Sequence, residues 1–123
     1  MINLRLAGIK VEPISGGNPQ LFGMVQSQDF DPGSVIPGTF IAEIFNEEGT
    51  DLIVKDVQNG LPPVGKGGGM QMVATIIPNT PIRVLSFYQE DGSAAPIDKQ
   101  QTVVPYPEGG WGGKQIELIY VLA

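Results

Sequence analysis

Thr39-Phe-Ile-Ala-Glu-Ile-Phe45-Asn-Glu-Glu-Gly49-Thr-Asp51-Leu-Ile-Val-Lys-Asp-Val-Gln58 reads as two strands and the turn between them. β-Branched and aromatic residues fill both arms, as a pleated and half-buried surface requires. The connection Asn46–Thr50 is polar and carries Gly49, which can take a positive φ at a tight reversal. The surroundings favour strands as well. Free of Gly and Pro, the longest windows are 39–48, 50–59, 82–91 and 114–123, and none exceeds ten residues. Interior Gly costs a helix about 1 kcal/mol and Pro about 3 relative to Ala, so a chain cut this finely has no room for helices of ordinary length.

Working outward, further strands are expected at Ile2–Glu12, Leu21–Gln26, Met70–Ile77, Ile82–Gln89, Gln101–Tyr106 and Lys114–Ala123. In the first, Ile2, Leu4 and Leu6 share one parity and Ile9 and Val11 the other, so a β-bulge near Ala7-Gly8 must restore the inward direction. Segments 15–19, 27–38 and 59–69 read as loops, and Pro78–Pro81 as a tight turn joining two paired strands. Without βαβ alternation a parallel sheet is not expected. The expectation is an all-β chain with no substantial helix. It forms one domain over 1–123, a single antiparallel β-sandwich of seven or eight strands in jelly-roll or Ig-like style.

Composition narrows the chemistry. Seven basic residues against thirteen acidic give a net charge of −6, the wrong sign for a chain that coats phosphates, so no nucleic-acid partner is expected. There is no Cys and no His, which removes thiolate metal sites, disulfides and the commonest catalytic base. The alternating, charged N-terminal stretch is not a signal peptide, and no apolar run approaches the roughly 20 residues of a membrane helix. Folding in a cytoplasm is expected.

Gly60-Leu-Pro-Pro-Val-Gly65-Lys66-Gly67 has the spacing of a phosphate-binding loop but not its physics. Pro62 and Pro63 offer no N–H to a phosphate, and Gly67 stands where a Ser or Thr would hold magnesium. Gly65, Lys66, Gly67, Gly68 and Gly69 are expected to form a flexible loop. Asp29 and Asp31 place two carboxylates on a turn, a sparse offer to a calcium ion that takes six to eight oxygens. The acidic residues Glu43, Glu47, Glu48, Asp51, Asp56, Glu90, Asp91, Asp98 and Glu108 read as solvated turn and surface positions rather than as an acid/base pair. No catalytic residue, metal or cofactor is expected, and the chain reads as a non-enzyme.

Two features point instead to contacts with other molecules. Gly109-Gly110-Trp111-Gly112-Gly113 holds the only tryptophan, which either plugs one end of the sandwich or, with Tyr106, anchors an interface. In Gln115–Ala123, Ile116, Leu118, Tyr120 and Leu122 share one parity and Ile119 and Val121 the other. A strand apolar on both faces must be covered on both, by its own chain or by a neighbouring subunit. Ile119, Tyr120, Val121 and Leu122 therefore join Trp111 and Tyr106 as interface candidates. An alternative use of the aromatics is carbohydrate binding or adhesion, with Trp111, Tyr106 and Tyr88 as a stacking platform beside a calcium at Asp29 and Asp31.

With its Met1-Ile2-Asn3-Leu4 strand start, the Gly/Pro-rich segments 27–38 and 59–69, the lack of Cys and His, and the apolar end Tyr120–Ala123, the chain resembles small all-β virion proteins of bacteriophages. These are capsid, decoration, vertex and tail-adaptor proteins. The resemblance implies a virion structural protein assembled in the host cytoplasm, a homo-oligomer or part of a larger assembly. Its partners would be further copies of itself or a major capsid protein.

Overall fold

The computed structural model describes residues 4–13, 20–23, 36–61, 70–73, 78–90 and 99–122. Among them there is no helix. The strands are β1 (Leu4–Pro13), β2 (Gln20–Gly23), β3 (Ile36–Phe45), β4 (Leu52–Leu61), β5 (Met70–Val73), β6 (Ile82–Gln89), β7 (Thr102–Val104) and β8 (Lys114–Leu122). They form two sheets, ordered β1-β8-β2-β5 and β4-β3-β6-β7.

The opening stretch is the hairpin β3–β4, with Ile41 opposite Val57 and Glu43 opposite Lys55. Its turn is built by Asn46, whose Oδ1 accepts from the N–H groups of Thr50 (2.8 Å) and Asp51 (3.0 Å). Gly49 takes φ +75°, as the reversal requires. In β6 the alternation is complete: Ile82, Val84, Ser86 and Tyr88 are buried and the residues between them half-buried. The register of β1 against β8 shifts between Leu6 and Gly8, the bulge that the parity switch demands. Leu4 and Leu6 before it, and Ile9 and Val11 after it, all pack on the core.

Four expectations need correction. β3 begins at Ile36, so Pro37 and Gly38 belong to a strand and not to the preceding connection. They are accommodated by a register shift between Ile36 and Thr39, a bulge at which Gly38 takes φ +100°. β4 runs on through Asn59 and Gly60 to Leu61, opposite Ile36, because the extended β3 gives it a partner; the rest of 59–69 lies outside the described residues. Segments 70–73 and 82–89 are not a hairpin. β5 pairs with β2 while β6 lies between β3 and β7 in the other sheet, so the chain changes sheets between them. Finally, one pairing is parallel, β2 with β8. A parallel pair requires a long crossover, and here the second sheet supplies it in place of a helix.

Both sheets contribute to one core: Leu4, Ile116, Leu118 and Tyr120 from the first, Phe40, Ala42, Ile44, Ile82, Val84, Tyr88 and Val104 from the second. Phe40 sits between two tyrosines, 4.8 Å from the Tyr88 ring and 5.3 Å, edge-on, from that of Tyr120. Ala42 and Ser86 are directly paired across β3 and β6. At this small-residue pair the Tyr120 hydroxyl crosses between sheets and hydrogen-bonds Ser86 Oγ. The Ser86 hydroxyl donates in turn to the Ile41 carbonyl at 2.9 Å, and the Tyr88 hydroxyl donates to the Pro37 carbonyl at 2.6 Å.

Gly38 offers a sharp stability test. A Cβ there would lie 2.6 Å from the Gln89 carbonyl oxygen and 2.7 Å from the Tyr88 ring, in a backbone conformation that L side chains avoid. Gly38→Ala is expected to cost about 1–3 kcal/mol in urea unfolding. Gly8→Ala, with nothing within 4 Å of its Cβ, should stay within about 0.5 kcal/mol of the parent.

Burial holds the Tyr120 phenol far above its ordinary range, partly opposed by the Ser86 hydrogen bond. Burial, and then Glu90, raise Tyr88 as well. The unfolded chain releases these protons near pH 10 while the folded chain retains them. The associated stability is therefore complete below about pH 10 and falls above it, by up to about 1.4 kcal/mol per pH unit for Tyr120. Tyr120→Phe should lower stability by about 1 kcal/mol at neutral pH and make the alkaline fall shallower. Parallel falls in parent and variant would mean that Tyr120 ionises alike in both states.

Candidate interaction face

The outward side of sheet β4-β3-β6-β7 is built from the residues between the core positions. In register they form four rows: the polar Asn59, Thr39 and Gln89; Val57, Ile41 and Phe87; Lys55, Glu43 and Leu85; and Leu52, Phe45, Arg83 and Val103. Ile41, Phe45, Leu85 and Phe87 are half-buried in the middle, and Val57 (49 %), Leu52 (49 %) and Val103 (50 %) are exposed at the two edges. Charge is confined to Glu43 opposite Lys55, to Arg83, and to Lys99, whose Nζ lies 5.9 Å from the Phe87 ring centre. Arg83 is anchored by an Nε–H bond to the Glu47 carbonyl (2.7 Å), which ties the Asn46 turn to this face. Apolar and charged positions thus alternate across this face, with the apolar ones in the majority on the two rows either side of Glu43.

The outward side of the other sheet is different. Across β1 and β8 it pairs Arg5 with Val121, Gly8 with Ile119, Lys10 with Glu117 and Glu12 with Gln115. Lys10 Nζ lies 2.8 Å from Glu12 Oε1, and Gln115 Nε2 donates to Glu12 Oε2 at 3.4 Å. Glu12 holds Lys10 above its ordinary pKa, and Lys10 holds Glu12 below its own. Such an exposed pair adds little stability.

The residues singled out from the sequence separate accordingly. Trp111 is only 3 % exposed, and its indole N–H donates to the Thr80 carbonyl at 3.0 Å. Of its two expected roles, burial selects the plug. The neighbouring glycines turn the chain, Gly109, Gly110 and Gly113 all having positive φ, so that the indole folds inward. Tyr106 remains 41 % exposed, with its ring edge-on to Trp111 at 6.2 Å. Tyr120 is core and not surface, because its parity faces the opposite sheet. Ile119 and Val121 are half-buried on the polar outer side, and Leu122 lies opposite Leu4 at the end of β8. β8 is a central strand of its own sheet, so β1 and β2 pair its two edges, and the core covers its inner face at Ile116, Leu118 and Tyr120.

The stacking platform is not assembled as expected, since Trp111 and Tyr88 are both buried and Tyr106 alone is exposed. Asp29, Asp31 and Gly65 through Gly69 lie outside the described residues. Among the described residues, no three acidic side chains gather as metal ligands, and no helix is long and apolar enough to cross a membrane. Ile41, Phe45, Leu85 and Phe87 are not among the interface candidates read from the sequence. The signal was present, since β3 and β6 are apolar on both parities just as β8 is. Compared with known proteins, the chain matches no family model, no curated protein and no solved structure.

The single tryptophan makes its placement directly measurable. Trp111 fluorescence should be blue-shifted and resistant to iodide quenching in the folded chain. Trp111→Ala should cost about 3–5 kcal/mol of stability. Red-shifted, readily quenched emission from the native protein would place the indole at the surface.

Proposed function

We propose that this chain is a non-enzymatic structural subunit that works through protein–protein assembly contacts, as small virion proteins of bacteriophages do. The observation that carries the reading is the outward face of β4-β3-β6-β7, where Ile41, Phe45, Leu85 and Phe87 lie between the exposed Leu52 and Val57 at one edge and Val103 at the other. Glu43 at its middle is set opposite Lys55, so the central charge is matched within the face while Ile41, Phe45, Leu85 and Phe87 surround it. The partners are further copies of the chain or a major capsid protein, and the place of assembly is the host cytoplasm, with the finished particle as destination.

In this reading all eight strands form one sandwich. Jelly rolls and Ig-like domains are built from antiparallel sheets, so the parallel β2–β8 pair makes this a variant of either plan. A load-bearing shell or collar protein needs a rigid scaffold that presents a flat surface, and a sheet packed on a continuous core provides one.

The test has two parts. The chain should be found in purified particles. Leu85→Glu places a charge in the middle of the face without entering the core, and should lower incorporation by about tenfold or more while circular dichroism stays unchanged. Absence of the chain from particles would remove the virion role. Full incorporation of the folded Leu85→Glu variant would remove this face as the contact.

A further inference from the structure

We propose that two copies of this chain associate through antiparallel pairing of their β4 edges, with the two-fold axis at Val57. This does not depend on the particle reading, because a dimer in solution would stand even for a chain found in no particle.

An edge strand offers unpaired backbone groups to any second strand, and proteins blunt such edges with short length, Pro, Lys or bulges. Of the four edges here, β7 has three residues and β5 four. β1 is interrupted by its bulge, carries the Lys10–Glu12 pair and ends at Pro13. β4 runs ten residues with no proline; its own bulge, at Ile53, lies next to its start, and Lys55 is its one lysine, so 54–61 is the longest uninterrupted edge without proline. At its middle, Val57 is 49 % exposed, and its N–H is held by the carboxylate of the preceding Asp56 at 2.9 Å. A backbone N–H that takes up a local side chain fits a group directed at the open edge.

The occupant follows from charge and register. A two-fold axis normal to the sheet pairs residues whose numbers have a constant sum. Centred on Lys55 it opposes two lysines, and centred on Asp56 two aspartates, and like charges directly opposite are destabilising. Centred on Val57 it opposes valine to valine, Lys55 to Asn59 and Asp56 to position 58, a glutamine, with regular overlap over 54–60, clear of the bulge at Ile53. Centring further along shortens the overlap, because β4 ends at Leu61. Of the registers that set no like charges opposite each other, the one centred on Val57 has the longest overlap. The same pairing joins the row Phe87, Ile41 and Val57 to its copy across the axis, so the apolar face continues through the dimer.

A chain without cysteine allows a clean test. Lys55→Cys, Asp56→Cys and Val57→Cys are oxidised separately and run on non-reducing gels, while the parent is weighed by light scattering over a concentration series. The parent should dimerise, and only Val57→Cys should cross-link efficiently. In this register the two copies of residue 56 are roughly 8 Å apart and those of residue 55 roughly 14 Å, beyond disulfide reach. Val57→Lys, substituted at an exposed site, should be folded and monomeric. A parent that stays monomeric, preferred cross-linking at 55 or 56, or a Val57→Lys variant as dimeric as the parent would each overturn the proposal.

Discussion

A single hydroxyl chain joins the two sheets. Tyr120 reaches from β8 across the core to Ser86 on β6, and Ser86 passes the interaction to the Ile41 carbonyl on β3. A buried hydroxyl left unpaired costs roughly 1–3 kcal/mol, so Tyr120 depends on Ser86, while Ser86 keeps the Ile41 carbonyl as a partner of its own. That requirement sets its surroundings. Residue 42 must be small, since Ala42 is the direct partner of Ser86 and is fully buried beside it. Phe40 must be large, because it fills the space between Tyr120 and Tyr88. Tyr88 carries the constraint to the end of the sheet, where its hydroxyl meets Pro37 at the bulge that only Gly38 accommodates.

The same arrangement explains why glycine is concentrated where it is. Gly38 permits Tyr88 to lie flat against the start of β3. The cluster around Trp111 permits the one indole to close the core near Thr80, where its N–H finds a carbonyl. Both are sites where a large amphipathic ring is buried while its polar tip is satisfied by backbone. Glycine here serves the packing of aromatics as much as it breaks helices.

Most strands were legible because alternation and Gly/Pro punctuation act locally: β6 and β8 fall where the pattern puts them, and the β1 bulge follows from parity alone. What was not legible is non-local. Nothing in Met70–Gln89 tells that its two strands part into different sheets, because Pro78–Pro81 reads as a hairpin turn whichever partners the strands take. The extension of β3 into Pro37-Gly38 and of β4 into Asn59-Gly60 also depends on a partner, each strand being continued by the other against its own propensities. Trp111 left two roles open for the same reason, since its burial is decided by Thr80, distant in sequence.

The outward faces show this limit most clearly. β8 and β6 are both apolar on two parities, yet their outer sides differ. Beside β8 lies β1, which sets Arg5, Lys10 and Glu12 in register with Val121, Glu117 and Gln115 and makes the face polar. Beside β6 lies β3, which adds Ile41 and Phe45 to Leu85 and Phe87 and makes the face apolar. A face belongs to neighbouring strands in register and not to any one of them. The apolar parities of β8 alone therefore do not tell which outward face is apolar. It is β3, the first arm of Thr39–Gln58, that turns one side of its sheet into core and leaves the other apolar toward solvent.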